Sequence, residues 1–316
     1  MLGDGDARAL KLHDLPALKR LLDTGVTLDS ELAFTRADDR PDLLASYFLP
    51  PRGLHTLVAR ADKQTVFGQF RLRADDARIT YVAPGLEPDA DDTAWLHLLD
   101  AMAAEAGRRG AHVLTAEVDE YQELFSTLRV SGFAIYARQE IWQRPPEPLP
   151  VLSVDLVDLT VETDSDAHGV QLLYSNIVPR LVQPIALPPC HSEGLVYRKN
   201  DRVEGYVAVS EGRSGVYLTP YLHPDVFSEA PAIIAAAMAH TGRAARLPVY
   251  VCVRRYQDWL EDALVDLGFE PWTRQAVMVR HIAAGVRAAS FAPLSRRLEA
   301  IPKPVQPPGI TESLLE

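Results

Sequence analysis

The chain has 316 residues, 47% hydrophobic and 24% charged, the composition of a folded globular protein and the length of about two domains. A formal net charge of −11, with no Lys/Arg-rich run interleaved with aromatics to offset it, argues against nucleic acid as a partner. The longest apolar run, Ala232 to Ala239, falls far short of the roughly 20 residues that span a bilayer, so no membrane partner is expected, and an N-terminus lacking a basic start and apolar core points to the cytoplasm.

Ala9 to Leu12 reads as a short strand, and Asp14-Leu-Pro opens a helix through Leu22 with Asp14 as N-cap and Pro16 in its first turn. Leu57 to Phe70 reads as a strand, a polar turn and a second strand carrying Gly68. From Asp92 to Arg109, Trp95, Leu98, Leu99, Met102, Ala103 and Ala106 recur at helical spacing, Arg108 and Arg109 sit near the negative end, and Gly110 terminates. A strand over His112 to Val118, a helix over Tyr121 to Val130 and a strand over Ala134 to Trp142 follow. The four prolines of Arg144 to Pro150 mark an extended connector. Beyond it Thr160 to Thr163 reads as a strand, and Asp164 or Ser165 caps a helix reaching Asn176. The last segment reads as a short helix, Leu294 to Ala300, and an extended tail with the prolines of Ile301 to Pro308.

The second half repeats the first. Leu57-Val-Ala-Arg60 matches Leu195-Val-Tyr-Arg198, and Pro84-x-Leu-x-Pro-Asp89 matches Pro220-x-Leu-x-Pro-Asp225 at an offset of 136. Met102 and Met238 keep that offset. Tyr121-Gln122 pairs with Tyr256-Gln257, and Gly132-Phe133 through Arg138-Gln139 pairs with Gly268-Phe269 through Arg274-Gln275. The expected organisation is an N-terminal copy over 1–144, a linker over 145–154, a C-terminal copy over 155–283 and a tail over 284–316. Each copy is an α/β domain, a mixed sheet flanked by helices. Pro84 and Pro220, in the strand before the central helix, are expected to interrupt a ladder beside a cleft.

This order resembles the GNAT (N-acetyltransferase) fold, in tandem. The residues carrying the resemblance are Leu86-x-Pro88 and Leu222-x-Pro224 before the central helix, and Leu128-x-x-x-Gly132-Phe133 and Leu264-x-x-x-Gly268-Phe269 before the last strand. The resemblance implies acyl transfer from acetyl-CoA or another acyl-CoA to a small amine, with no metal, and a cleft for the pantetheine arm. It places Leu86, Pro88, Leu222, Pro224 and Ser228 at the cofactor. Fusion of two copies implies a monomer with an internal pseudo-dimer, or a homodimer.

The family's glycine loop lets backbone N–H groups reach the pyrophosphate at a helix start. Here the N-terminal copy has Pro88-Asp-Ala-Asp-Asp-Thr-Ala-Trp95, and the C-terminal copy has Pro224-Asp-Val-Phe-Ser-Glu-Ala-Pro231, both without glycine. The first carries three aspartates, so the second is the better candidate for a CoA ester. Where the family uses a tyrosine acid, the chain has Leu128 and Leu264. Glu117 is a candidate base, against a solvated charge at a strand end; Tyr81 and Tyr217 are candidate acids, against core packing with one satisfied hydroxyl. Cys190-His191 reads as loop, Cys252 as an independent thiol, and His97, His223 and His240 lack metal-site spacing. Two functions stay open: an acyltransferase active in its C-terminal copy, and a catalytically inactive ligand- or protein-binding module.

Overall fold

The computed structural model describes residues 6–36, 53–61, 64–73, 75–148, 157–183, 185 and 193–282. The expected helix at Leu294 to Ala300, the tail after it, Cys190-His191 and part of the proline connector lie outside these residues. In the first half, β1 (Asp6–Ala9) leads through a 3₁₀ turn to α1 (Leu15–Leu21), then β2 (Val26–Thr27) and α2 (Ser30–Thr35). A three-stranded meander follows, β3 (Leu54–Ala61), β4 (Gln64–Arg73) and β5 (Asp76–Ala83). The half closes with α3 (Thr93–Arg108), β6 (Val113–Asp119), α4 (Glu123–Val130) and β7 (Ala134–Arg144). The second half runs β8 (Thr160–Val161), α5 (Ala167–Ile177), β9 (Glu193–Lys199), β10 (Arg202–Glu211), β11 (Val216–Leu222), α6 (Ala230–Thr241), β12 (Val249–Arg254), α7 (Glu261–Asp266) and β13 (Glu270–His281).

All these strands form one continuous sheet in the order β1-β3-β4-β5-β6-β13-β7-β12-β11-β10-β9-β8, with β2 on β5. The two halves repeat the same strand sequence around a centre, but their last strands are exchanged. β13 lies against β6 of the first half, and β7 lies against β12 of the second. Between them, β7 and β13 run antiparallel with Gln139 opposite Gln275. These are equivalent positions of the repeat, so the pseudo-twofold passes between them, and the Gln139 amide donates to the Gln275 side-chain oxygen at 2.8 Å.

One face of the sheet is covered by α3 and α4 over the first half and by α6 and α7 over the second, each above its own apolar cluster. The helix expected from Asp92 to Arg109 is α3, and Leu98, Leu99, Met102 and Ala106 are fully buried on it, each large side chain contributing about 1.5–3 kcal/mol of burial. On the other face coverage crosses the axis. Phe34 of α2 stacks on Tyr250 of the second half at 4.4 Å, while Val182 and Ile185, after α5, pack in one cluster with Val113, Val277 and Val279. The end of α2 meets the β10–β11 hairpin so closely that a Cβ on Gly212 would stand 1.8 Å from the Thr35 carbonyl. Only glycine fits there.

The ladders correct one expectation. Gly68 pairs with Val82 and Gly205 with Leu222, so Tyr81 is structurally equivalent to Tyr221 and Val82 to Leu222, 140 residues apart rather than 136. Pro84 and Pro220 are therefore not counterparts. The irregularity in β5 falls at Thr80, where the register steps from Gln69–Tyr81 to Phe70–Ile79. Pro220 stays in register opposite Val207. Its carbonyl points toward β12, beyond the last β11–β12 pair at Leu218–Val251, and its missing N–H on that side costs no ladder bond.

Asp14 does not cap α1 as expected. Its carboxylate turns back to accept the Lys11 N–H at 2.9 Å and pairs with Arg8 at 2.7 Å and Arg60 at 3.2 Å. Asp166 repeats the device with the Thr163 N–H and Arg198, the counterpart of Arg60. The Arg8 hydrogen bond, opposed by burial and aided by the Lys11 N–H, lowers the Asp14 pKa to about 2. Because the folded value lies below the unfolded one, this stabilisation is complete above about pH 4 and disappears as pH falls through about 2. Asp14→Asn should cost on the order of 2 kcal/mol at pH 7 and little at pH 2, measured by urea denaturation at both pH values.

Candidate functional site

In each half the parallel pair before and after the central helix is short and then diverges. β5 and β6 pair only from Asp76–Val113 to Arg78–Thr115, and β11 and β12 only from Val216–Val249 to Leu218–Val251. Beyond those pairs a gap opens in the sheet, and what fills it differs between the halves.

In the N-terminal half the gap is filled by the chain itself. Val26 and Thr27 pair with Val82 and Tyr81, the Leu28 N–H donates to the Thr80 carbonyl at 3.0 Å, and the Leu28 carbonyl accepts the Glu117 N–H at 2.9 Å. Leu28 therefore bridges β5 and β6 as a single-residue strand, its side chain fully buried. In the C-terminal half the corresponding edge is spanned by a side chain. The amide of Gln257, 2% exposed, lies 3.3 Å from the Pro220 carbonyl and 3.2 Å from the Leu222 N–H, and with its NH₂ turned to the first and its oxygen to the second it satisfies both.

Glu117, the candidate base, is 5% exposed and lies at the centre of a charge cluster between the halves. Its carboxylate accepts the Ser30 N–H at 2.9 Å and stands 3.9 Å from Arg78 and 3.8 Å from Arg254. Burial pushes its pKa up, but the two guanidiniums and the Ser30 N–H outweigh this and hold it below the ordinary value. Asp29 and Glu31, on the segment that enters the gap, are raised instead, mainly by burial. By ladder register the position equivalent to Glu117 in the other half is Cys252, opposite Ile141 where Glu117 is opposite Val277. Burial raises the Cys252 thiol above its ordinary range.

The Tyr81 hydroxyl donates to the Leu22 carbonyl at the end of α1. Tyr217 is 4% exposed, stacked near Phe34 with ring centroids 6.1 Å apart, and burial, with Cys252 beside it, pushes its phenol well above the usual range. Leu222 ends β11 at the gap, and Pro224 opens the 3₁₀ turn that precedes α6. Ser228 donates to Glu229, which pairs with Lys199 at 2.8 Å beside the start of α6. Leu86 packs at the margin of the first core, and Pro88 is exposed. At the start of α3, Asp91 accepts the Thr93 N–H at 3.0 Å and Asp92 accepts the Thr127 hydroxyl at 2.9 Å. Both helix starts are thus occupied by the protein's own carboxylates. Among the described residues no group of three or more His, Cys, Asp or Glu side chains could hold a metal ion, and no helix is long and apolar enough to cross a membrane.

The sequence did not mark Leu28, Asp29, Arg254 or Gln257. Gln257 had one signal, its place in the repeated Tyr-Gln pair with Gln122.

No family model matches the sequence, and no curated protein matches it. Solved structures do. A GCN5-related N-acetyltransferase from Sphaerobacter thermophilus superposes with a TM-score of 0.55 at 11% identity, covering 89% of this chain and 97% of that one. A putative acetyltransferase from Pyrococcus horikoshii gives 0.51 at 13% identity, covering 89% and 90%. A tandem GNAT protein from the clavulanic acid biosynthesis pathway gives 0.49 at 16% identity, covering 88% and 99%. The first two likenesses establish the fold as GNAT-like, and the strand order of the sheet itself shows two such units, each a mixed sheet flanked by helices.

Glu117→Gln should remove the counter-charge of two buried guanidiniums and destabilise the chain by about 3 kcal/mol, measured by chemical denaturation at pH 7.

Proposed function

We propose that the chain is an acyltransferase that takes an acyl-CoA in its C-terminal copy and passes the acyl group to a small amine, the N-terminal copy serving as its structural partner. The observation that carries this reading is the difference between the two gaps. Backbone fills the first: Leu28 is bonded to both lips, and the charges that follow it are buried. An amide at the end of one side chain spans the second, and its two bonds are to the backbone groups of Pro220 and Leu222. The pantetheine arm contains amides of its own, which can replace that of Gln257 at Pro220 and Leu222 once the side chain turns away. Leu222, Pro224 and Ser228 then border the arm. The cytoplasm, as expected from the sequence, supplies acyl-CoA.

A second reading, binding without turnover, draws support from Leu128 and Leu264, fully buried where an acid would stand, and from Glu229 at the start of α6, where a pyrophosphate would meet negative charge. Calorimetric titration of the full chain with acetyl-CoA tests both. One site per chain is expected, and Gln257→Ala should tighten binding about fivefold by removing a competitor worth about 1 kcal/mol net. Two sites, or none, would overturn the assignment to the C-terminal copy. Release of free CoA in the presence of amine separates transfer from binding alone.

A further inference from the structure

Among the described residues, Thr219 on β11, Arg254 at the end of β12 and Tyr256 just after it carry donors without a hydrogen-bond partner. Thr219 and Tyr221 on β11 and Cys252 and Arg254 on β12 alternate with the residues packed under α6 and α7, and so face the opposite side of the sheet. Arg254 is 6% exposed. Its Nε and Nη1, the Thr219 Oγ1 and the Tyr256 Oη are buried without a hydrogen-bond partner, whereas roughly nine in ten such groups in folded proteins are paired. The nearest carboxylate oxygen, on Glu117, stands 3.8 Å from Nη2, too far for a hydrogen bond, and the same oxygen serves Arg78 at 3.9 Å. Tyr174 and Tyr221 pack in the same cluster with ring centroids 5.8 Å apart, and the Tyr174 hydroxyl is committed to the Gln183 carbonyl at 2.5 Å.

Every unused atom here can donate a hydrogen bond, and the guanidinium can only donate. A carboxylate supplies two acceptor oxygens and the charge that matches a permanently cationic fork. From the unpaired donors of Arg254, Tyr256 and Thr219 on one face of the sheet at this gap, we infer that the C-terminal copy recognises a carboxylate on its substrate. The inference rests on the acyl-transfer reading for the identity of the substrate, but its chemistry can be read separately.

The carboxylate can belong to the acyl group or to the amine. Calorimetry on the full chain compares malonyl-CoA with acetyl-CoA for the first source and glycine with methylamine for the second. A preference of tenfold or more for the carboxylate-bearing member of either pair is expected, because a site built of donors rejects the analogue that leaves them unpaired. Arg254→Met should erase that preference. Tyr256→Phe and Thr219→Val each remove one donor while keeping the Arg254–Glu117 pair, so they give a readout even if Arg254→Met fails to fold; each should reduce the preference about threefold. Equal binding within both pairs, or a preference that survives Tyr256→Phe and Thr219→Val unchanged, would overturn the inference. If neither CoA ester binds while the glycine preference and its dependence on Tyr256 and Thr219 remain, the carboxylate pocket stands and the acyl-transfer reading falls.

Discussion

The exchange of the last strands is the constraint on which the rest of the molecule depends. Gln139 and Gln275 are equivalent residues brought face to face on the pseudo-twofold, the first buried and the second half-buried, and a buried amide needs a partner. They supply that partner to one another. The Gln139 oxygen also lies 3.5 Å from the Cys252 thiol, and the Ser30 hydroxyl donates to Gln275 at 2.7 Å, so the first half's N-terminal segment is held at the same point. A slip of one residue between β7 and β13 would turn the amides to the other face and put Arg138 or Arg274 in their place. The register is fixed by what it would cost to bury the neighbours instead.

From that centre follows the asymmetry of the two gaps. Exchange leaves two strands, β13 and β7, between β6 and β12, close enough for Arg254 of one half to share the carboxylate of Glu117 in the other. The cluster draws in Asp29 and Ser30, and with them Leu28, which is thereby set between β5 and β6. In the other half the position matching Glu117 is a thiol, which supplies no such anchor. A single difference at one pair of equivalent positions thus accompanies one gap filled by backbone and one spanned, among the described residues, by the Gln257 side chain.

Much of this was legible in the sequence, for identifiable reasons. The helix from Asp92 to Arg109 showed its apolar face at full length, and the Gly-Phe pairs and the Leu-Val-x-Arg motifs gave the repeat. Asp14 was recognised as important at the start of α1, but its true partners lie across the turn and on β3, and no local pattern names them. The offset of 136 failed in one stretch because the longer β10–β11 hairpin of the second half raises it to 140, and the longer stretch before α3 in the first half returns Met102 and Met238 to the common spacing. Strand exchange left no trace at all: an alternating apolar strand states that it is half-buried, not which neighbour it will have. Asp29, Glu117 and Arg254 look like solvated charges in the chain, since burial of a charge is decided by where its counter-charges arrive.

The same exchange has a consequence for how the chain comes into being. β13 ends at His281 and lies between β6 and β7. During synthesis, the first half can assemble its meander and central helix, yet β6 keeps an unpaired edge until the last strand has left the ribosome. The nascent chain therefore carries an open sheet margin through the making of an entire second copy, the situation in which strands find wrong neighbours. Most of the chain's decisive pairings join residues far apart in sequence, which places it among the slow closers. A chain that stopped before Glu270 would lose the wedge that locks both halves.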